Sequence, residues 1–486
     1  MPKTTLQILD EVNIKFLDLD ITTRRKLVQA LEYEIPYARH MPSFKLGRWN
    51  GKLSFCDIGA RSYINLLDKL LPIVQEAGYE IEVEDLRENS QTFEFEAVKE
   101  DSYSHIKWPK GHPLAGEPIM IRDHQVEVIN SYLENPTGIN IAPTGAGKTI
   151  ITAILSNKVE LYGRSIVIVP TKDLVTQTEE DYINFGLDVG VFFGDRKDYG
   201  KTHTICTWQS LESLAKRSKE EDLDIDIEAF FDGVVCVIVD EVHKAKADVL
   251  RKLLSGYLRN APVRWGLTGT MPEEEFEKVS VMACLGPMLG KINTKELQEK
   301  GILAQLHINV WQMQDLGEVA FDNYQSELKW LTTNQARLKH IAKSVVEMAE
   351  TGNTLILVDR VQTGEMLQSL IPDSIFVSGK MKSKDRKEEY KEVQEVDGKV
   401  IIATYGVAST GINIVRIFNL VLFEAGKSFV RVIQSIGRGI RVAPDKDFVN
   451  VYDVCSNCKF SKRHLTKRKK FYAEAEYPFT VKKVNY

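Results

Sequence analysis

The sequence predicts an α/β protein with two parallel-sheet domains in tandem, preceded by a small α/β N-terminal domain. Three observations carry this. Short apolar runs ending in polar or turn residues recur between helical segments from Ile139 to Asp453. The runs are continuously apolar, not alternating, which marks strands buried on both faces in a parallel sheet with helices on either side. The series breaks off near Gly301 and starts again, and 486 residues are enough for two or three domains, each with its own core.

Residues 1–90 mix short β-like segments with amphipathic helical ones, for example Val12–Leu17 followed by Thr22–Leu31. Within this module, Phe44-Lys-Leu-Gly-Arg-Trp-Asn-Gly-Lys-Leu places Arg48 and Lys52 on either side of Trp49, and Asn50-Gly51 predicts a hairpin turn. Two readings stand side by side. Cations beside a ring suit a phosphate backbone and a stacked base; equally, the ring fills a hairpin core and the cations are solvated. Residues 91–117 lose periodicity and carry Trp108-Pro-Lys-Gly-His-Pro, which is linker chemistry.

The first sheet domain is expected over 118–300. Ile121-Arg-Asp-His-Gln opens an amphipathic helix, and strands are expected at Ser165–Pro170, Thr204–Trp208, Val234–Asp240 and Arg264–Thr270. The acidic stretch from Lys219 to Glu228 predicts an exposed loop. The second domain, 301–486, repeats the pattern at Thr354–Val358, Ser374–Val377, Lys399–Thr404, Leu420–Glu424 and Phe448–Asp453.

Ile139–Thr149 reads INIAPTGAGKT: an apolar strand, a small-residue loop, then the start of an Ile/Ala-rich helix. That order is what a phosphate-binding loop requires. In the loop Pro143-Thr144-Gly145-Ala146-Gly147, the backbone N–H groups after Pro143 and the following helix start face an anion, Lys148 reaches terminal phosphates, and the Thr149 hydroxyl ligates Mg²⁺. Ala142 stands where the general pattern has Gly. Such a loop needs carboxylates for the metal and for water, and Val237-Ile-Val-Asp240-Glu241-Val-His243 supplies two at a strand's C-terminal end. Asp240 is assigned to the Mg²⁺ shell and Glu241 to the attacking water, with ATP as the expected cofactor.

With these motifs the chain resembles superfamily 2 helicases and translocases, whose fold is a RecA-like pair. The resemblance implies further roles. Arg122 and Gln125 resemble the adenine-reading Q motif. Pro170-Thr171-Lys172 and Thr207-Trp208-Gln209 resemble the two motifs that hold a nucleic-acid backbone, and His243, Thr268 and Thr270 resemble coupling elements. In the second domain, Thr404-Tyr405 and Gly411 resemble motif V, and Gln434, Arg438 and Arg441 resemble motif VI with its arginine fingers. The FKLGRWNGKL, VSGKM and TYGVASTGI segments are similar to those of the UvsW-type helicases of tailed phages.

That family implies unwinding or branch migration of forks, junctions and R-loops in phage replication, recombination and repair. Its expected partners are DNA or an RNA–DNA hybrid, with single-strand-binding or recombination proteins as further ones. The alternatives are a double-strand translocase without strand separation, an RNA helicase, and a non-catalytic scaffold, the last opposed by intact Lys148, Glu241 and Arg438.

Composition adds limits. A net charge of −5 makes no global case for nucleic acid and leaves it to local patches. The six cysteines are scattered apart from Cys455 and Cys458, which with His464 fall short of the four ligands zinc wants. His464, Arg468 and Tyr472 instead suit one helix face, within a Lys/Arg-rich stretch from Lys459 to Lys470 that fits either nucleic acid or solvent. With no N-terminal apolar segment and no bilayer-length apolar run, a cytoplasmic protein is expected, in the host if phage-encoded, with no membrane partner.

Overall fold

The computed structural model describes residues 2–486 except 89–90, 111–113, 219–226, 243–246, 273, 316–320, 380, 382–392, 394–395, 412–415 and 427–444. It divides into two compact units, residues 1–142 with 147–291, and residues 292–486 with 143–146.

The first unit begins with β1 (Lys3–Ile8), β2 (Asn13–Phe16), α1 (Ile21–Ala30), β3 (Glu32–Glu34), the single-turn α2 (Pro42–Lys45), β4 (Lys52–Ser54), β5 (Arg61–Tyr63), α3 (Leu67–Glu76) and β6 (Glu80–Asp85). Asp20 starts α1 by accepting from the N–H groups of Thr22 and Thr23 at 2.7 and 2.9 Å, a side-chain cap for otherwise unpaired donors. The sheet order is β5-β2-β1-β6, with β1 and β6 parallel and the other pairs antiparallel.

The expected Asn50-Gly51 hairpin turn is corrected. β3 pairs with β4 across the whole connection 35–51, and Ile35 N–H donates to the Gly51 carbonyl at 2.9 Å. Gly51 has φ +80°, and a Cβ there would lie 2.9 Å from the Phe44 ring, so packing and backbone together require glycine.

The described residues of 91–117 form no helix and no named strand but lie packed within the first unit. Val98 and Tyr103 are buried, the Tyr103 hydroxyl donates to Asn157 Oδ1 at 2.8 Å, and Phe95 packs against Trp265 at 6.0 Å between centroids.

Next come α4 (Asp123–Leu133), β7 (Thr137–Ile141), α5 (Lys148–Val159), β8 (Arg164–Val169), α6 (Lys172–Asn184), β9 (Val189–Phe193), β10 (Arg196–Lys197), β11 (His203–Thr207), α7 (Trp208–Arg217), α8 (Ile227–Phe231), β12 (Val234–Asp240), α9 (Ala247–Lys252), β13 (Val263–Thr268), α10 (Glu275–Leu285) and β14 (Met288–Lys291). Their sheet runs β10-β9-β11-β8-β12-β13-β7-β14, parallel except where β10 folds back on β9. β11 and β13 are buried at every residue, as continuous apolarity requires. The expected acidic loop lies mostly outside the described residues; of its last two residues, which begin α8, Ile227 is buried and Glu228 exposed.

The N-terminal module is not a free appendage. Val279 and Ala283 of α10 belong to its core cluster with Leu27, Leu66 and Leu70. Asn13 Nδ2 donates to the Ser255 carbonyl at 2.9 Å and Asn65 Nδ2 to the Ala283 carbonyl at 3.2 Å.

The second unit comprises α11 (Thr294–Glu299), β15 (Gln305–Met313), α12 (Tyr324–Thr333), α13 (Gln335–Ala349), β16 (Thr354–Val358), α14 (Val361–Leu370), β17 (Ile375–Val377), β18 (Val400–Thr404), α15 (Tyr405–Gly411), β19 (Asn419–Phe423), β20 (Phe448–Ser456), α16 (Lys459–Glu474) and β21 (Phe479–Val484). The sheet order is β17-β18-β16-β19-β20-β15-β21, parallel throughout. The helix face expected around Arg468 and Tyr472 is present. Arg468 holds Asp453 through two 2.9 Å bonds, and the Tyr472 hydroxyl donates to the same carboxylate at 2.9 Å, all three side chains buried.

Removing one partner of a buried ion pair strands the other charge in low dielectric. Arg468→Met is therefore expected to destabilise the second unit by about 3–5 kcal/mol, read as a lower denaturation midpoint. An unchanged midpoint would mean that Asp453 is satisfied without Arg468.

Candidate nucleotide and nucleic-acid sites

The chemistry gathers at the C-terminal edge of the first unit's sheet. Gly147 caps α5 with φ +83°, a left-handed conformation that turns the loop's N–H groups outward and that a Cβ would resist. Gly145 has φ +92°. The loop is tied to its neighbour strand by Ala142 N–H donating to the Thr268 carbonyl at 2.8 Å.

Lys148, first residue of α5, donates to Glu241 Oε1 at 2.8 Å, with side chains 12% and 11% exposed. Glu241 sits just beyond β12 with φ +51°. Holding a glutamate in that region costs on the order of 1–3 kcal/mol, and it persists only where surroundings fix it. They do: Asp240 Oδ1 accepts the Glu241 N–H at 2.8 Å, Lys148 holds one carboxylate oxygen, and Gly269 N–H points at the other from 3.5 Å. Thr268, buried, donates its hydroxyl to the Thr270 carbonyl at 2.7 Å, fixing the turn that carries Gly269.

Gln125 is buried, and its Oε1 accepts the Arg122 N–H at 3.0 Å. Its amide lies so close to the loop that a Cβ on Gly147 would come within 2.2 Å of Nε2. Arg122 is exposed. Lys148 and Thr149 at the start of α5, Asp240 and Glu241 at the end of β12, and Gln125 in the first turn of α4 are thus ends of elements in the first unit. They suit a magnesium–nucleoside triphosphate: outward N–H groups and a lysine for phosphates, Thr149 and Asp240 for the metal, Glu241 for water. His243 lies outside the described residues.

Along the same sheet edge, Pro170, Thr171, Lys172, Thr207 and Gln209 line a cleft of about 360 Å³. Two helix starts open on it: Thr171 Oγ1 accepts Leu174 N–H at 3.4 Å to cap α6, and Thr207 Oγ1 accepts Ser210 N–H at 3.3 Å to cap α7. Helix N-termini favour anions. Lys197, Ser210, Ser213 and Arg217 complete the wall. Sequence reasoning missed these, although Ser210, Ser213 and Arg217 recur at i, i+3, i+7 on one face of α7. Trp208 is half-buried, packed against the sheet's core cluster.

In the N-terminal module, Arg48 is exposed and Trp49 half-buried, its Nε1–H donating to the Lys52 carbonyl at 2.8 Å. Lys52 is paired with Glu32 at 2.8 Å. Tyr37, Phe44 and Leu46 are exposed apolar neighbours in the same connection, with Lys45.

In the second unit, Thr404 ends β18 and Gly411 ends α15. Tyr405, the first residue of α15, is buried at 3% exposure. Gln434, Arg438 and Arg441 lie outside the described residues. Cys455 is buried in β20 with Sγ 3.7 Å from the Trp311 carbonyl, and burial pushes both its thiol and that of Cys458 upward. Among the described residues no group of three or more His, Cys, Asp or Glu is placed to hold a metal. No described helix is long and apolar enough to cross a membrane.

Residues 118–273 match the family model for the type III restriction enzyme res subunit, and residues 336–443 match the helicase conserved C-terminal domain. The chain is 24% identical over 507 positions to the ATP-dependent DNA helicase uvsW of Enterobacteria phage T4, covering 96% of this chain and 97% of that one. It is 28% identical over 193 positions to the DNA 3'-5' translocase XPB2 of Sulfurisphaera tokodaii, covering 39% and 40%. Among solved structures, the ATP-dependent type ISP restriction-modification enzyme LlaBIII bound to DNA shares the fold, with a TM-score of 0.56 and 13% identity over 84% of this chain and 33% of that one.

Gly147→Ala would both strain the backbone and drive a methyl into the Gln125 amide. A nucleotide affinity at least about tenfold weaker is expected by titration with a fluorescent ATP analogue, since a left-handed alanine alone costs roughly 1–2 kcal/mol. Equal affinity would show that the loop does not bind in this conformation.

Proposed function

We infer, from the premise that this chain is an ATP-dependent DNA helicase of superfamily 2 resembling the UvsW-type helicases of tailed phages, that it unwinds or branch-migrates structured DNA such as forks, junctions and R-loops. The observation that supports this most is the shared edge. The Lys148–Glu241 pair at the end of β12 and the Thr171/Thr207 cleft at the ends of β8 and β11 stand on adjacent strands of one sheet. A change at one can therefore reach the other through a single strand end.

In this reading Lys148 exchanges Glu241 for a terminal phosphate, and the released carboxylate takes the proton of the attacking water. Asp240 and Thr149 hold Mg²⁺, which screens the phosphate charge. Gln125 keeps the loop in register and reads the base with Arg122. Arg438 and Arg441, with Gln434 and Gly411, complete the site from the second domain and stabilise charge on the transferring phosphoryl group. Thr268, Thr270 and His243 carry the change to the cleft. Pro170–Lys172, Thr207, Gln209 and the backbone at Thr404 grip the strand. Domains are read as 1–90, 91–117, 118–300 and 301–486.

Lys148→Ala should cut ATP turnover by about 10²-fold or more while leaving DNA binding intact. Glu241→Gln should keep nucleotide binding and lose about 10²–10⁴-fold in turnover, as loss of a general base does. Normal turnover in either purified variant refutes the site. The substrate reading is tested by strand displacement on forked duplex, four-way junction, R-loop and blunt duplex. ATP hydrolysis on every duplex without displacement on any would establish a translocase instead.

The Arg48 surface belongs to the same reading. Truncating residues 1–90 would uncover the apolar face of α10, so substitution is the cleaner test. Lys45→Ala with Arg48→Ala should make the salt dependence of junction binding shallower by about two in log–log slope. An unaltered slope would assign that surface to another partner.

A further inference from the structure

The outer face of α16 carries charge that neither the nucleotide site nor the cleft uses. At 100° per residue, buried Ser461, Leu465, Arg468 and Tyr472 define the inner face. Lys459, Arg463, Lys467 and Lys470 fall on the opposite side in a stripe roughly 80° wide. Lys462 and Lys469 flank it, and all six side chains are exposed. None of the six makes an ion pair with a described residue, and the helix's one acid is Glu474, its last residue, four positions beyond Lys470 on the same side.

This is not the pattern of a face built for solvent. Solvated faces mix signs, as α13 does with exposed Lys339, Lys343 and Glu347 at i, i+4, i+8. On α16, Lys459 faces Arg463 and Arg463 faces Lys467 at i, i+4, where like charges repel and weaken a helix. A chain with net charge −5 concentrates these cations on one rigid rod, whose inner face is locked by the Arg468–Asp453 pair. The i, i+4 steps set successive charges about 6 Å apart along the axis, a regular linear array suited to a regular polyanion. A membrane surface is disfavoured, because the apolar side of the helix is already spent on the sheet.

We propose that the outer face of α16 is a second DNA-backbone surface of this protein, gripping phosphates through Lys459, Arg463, Lys467 and Lys470. This rests on the reading of the chain as a DNA motor. It adds a contact surface in the second unit that no helicase motif supplies.

The test uses the full chain carrying Lys459→Gln, Arg463→Gln, Lys467→Gln and Lys470→Gln together. Binding of a fluorescein-labelled forked duplex is followed by anisotropy between 50 and 200 mM NaCl. Four lost phosphate contacts should make the log–log salt slope shallower by about three to four, with affinity at 50 mM at least about tenfold weaker. ATP turnover without DNA and the thermal midpoint should be retained, and the exposed pair Lys339→Gln/Lys343→Gln on α13 should leave the slope unchanged. Wild-type slope and affinity in the fourfold variant would overturn the proposal, as would an equal loss in the α13 control. Unchanged DNA binding with weakened capture of a labelled polyglutamate peptide would overturn it in favour of an acidic protein partner. A wild-type chain that binds no DNA would overturn the motor reading, and this surface with it.

Discussion

The first unit is arranged around one contact, Lys148 Nζ to Glu241 Oε1. The two residues belong to loops at the ends of β7 and β12, and β13 runs between those strands. The lysine can cross only if the end of β13 is low. Gly269 meets that condition: a Cβ there would already lie 3.7 Å from Lys148 Nζ, and a longer side chain would fill the crossing. The left-handed backbone at Glu241 swings its carboxylate back over the sheet to complete the pair. Loop glycines, the Thr268–Thr270 turn and the strained glutamate are thus one arrangement. It keeps a carboxylate and a cation together at an accessible edge of the sheet.

The second unit repeats the architecture with the opposite consequence. Leaving out β10, its seven described strands follow the same spatial order as the first unit's, and the fifth in chain order, β12 and β19, is followed in each by a glutamate with positive φ. Glu424, at φ +45°, pairs with Arg337 at 2.6 Å and accepts from Ser461 Oγ at 2.8 Å. Here the pair is sealed, its side chains 0% and 5% exposed. Burial pushes the Glu424 carboxyl up while Arg337 opposes it, so the two charges are worth keeping only together. Twin backbone devices therefore hold an ion pair open to ligand in one unit and closed to it in the other. Access, not backbone geometry, separates the two pairs.

What could be read from the sequence follows the same division between local and distant. Ile139–Thr149 and Asp240–Glu241 are contiguous stretches whose chemistry is set by neighbours in the chain, and they fold as spacing demands. The doubly buried strands announced themselves by unbroken apolarity. β15 and β21 did not: β15 alternates Leu306, Ile308 and Val310 with Gln305, His307 and Asn309, and β21 is an edge strand exposed along its middle. The 35–51 connection misled because Asn50-Gly51 has the local signature of a hairpin turn, whereas the packing of Phe44 against Gly51 decides the path. Trp208 and Tyr405, given a nucleic-acid role by motif position, are the first residues of α7 and α15, the one half-buried against the sheet's core cluster and the other buried. Sidedness is a tertiary property, and a motif one residue wide does not encode it.

Charge placement makes the same point at larger scale. A net-acidic chain gains nothing from its overall field when it approaches phosphates, since that field is screened within about 8–10 Å at moderate salt. Only cations held within that range on rigid supports count. The structure places them so: Lys172, Lys197 and Arg217 around a cleft whose walls are two helix starts, Lys45 and Arg48 on a connection pinned at Gly51, and the outer row of α16 on a helix fixed by a buried ion pair. In each case an apolar or ion-paired interior sets the position of the outward charge. Interior packing in this chain therefore has a second effect beyond stability, because it decides which charges stand together and which remain scattered.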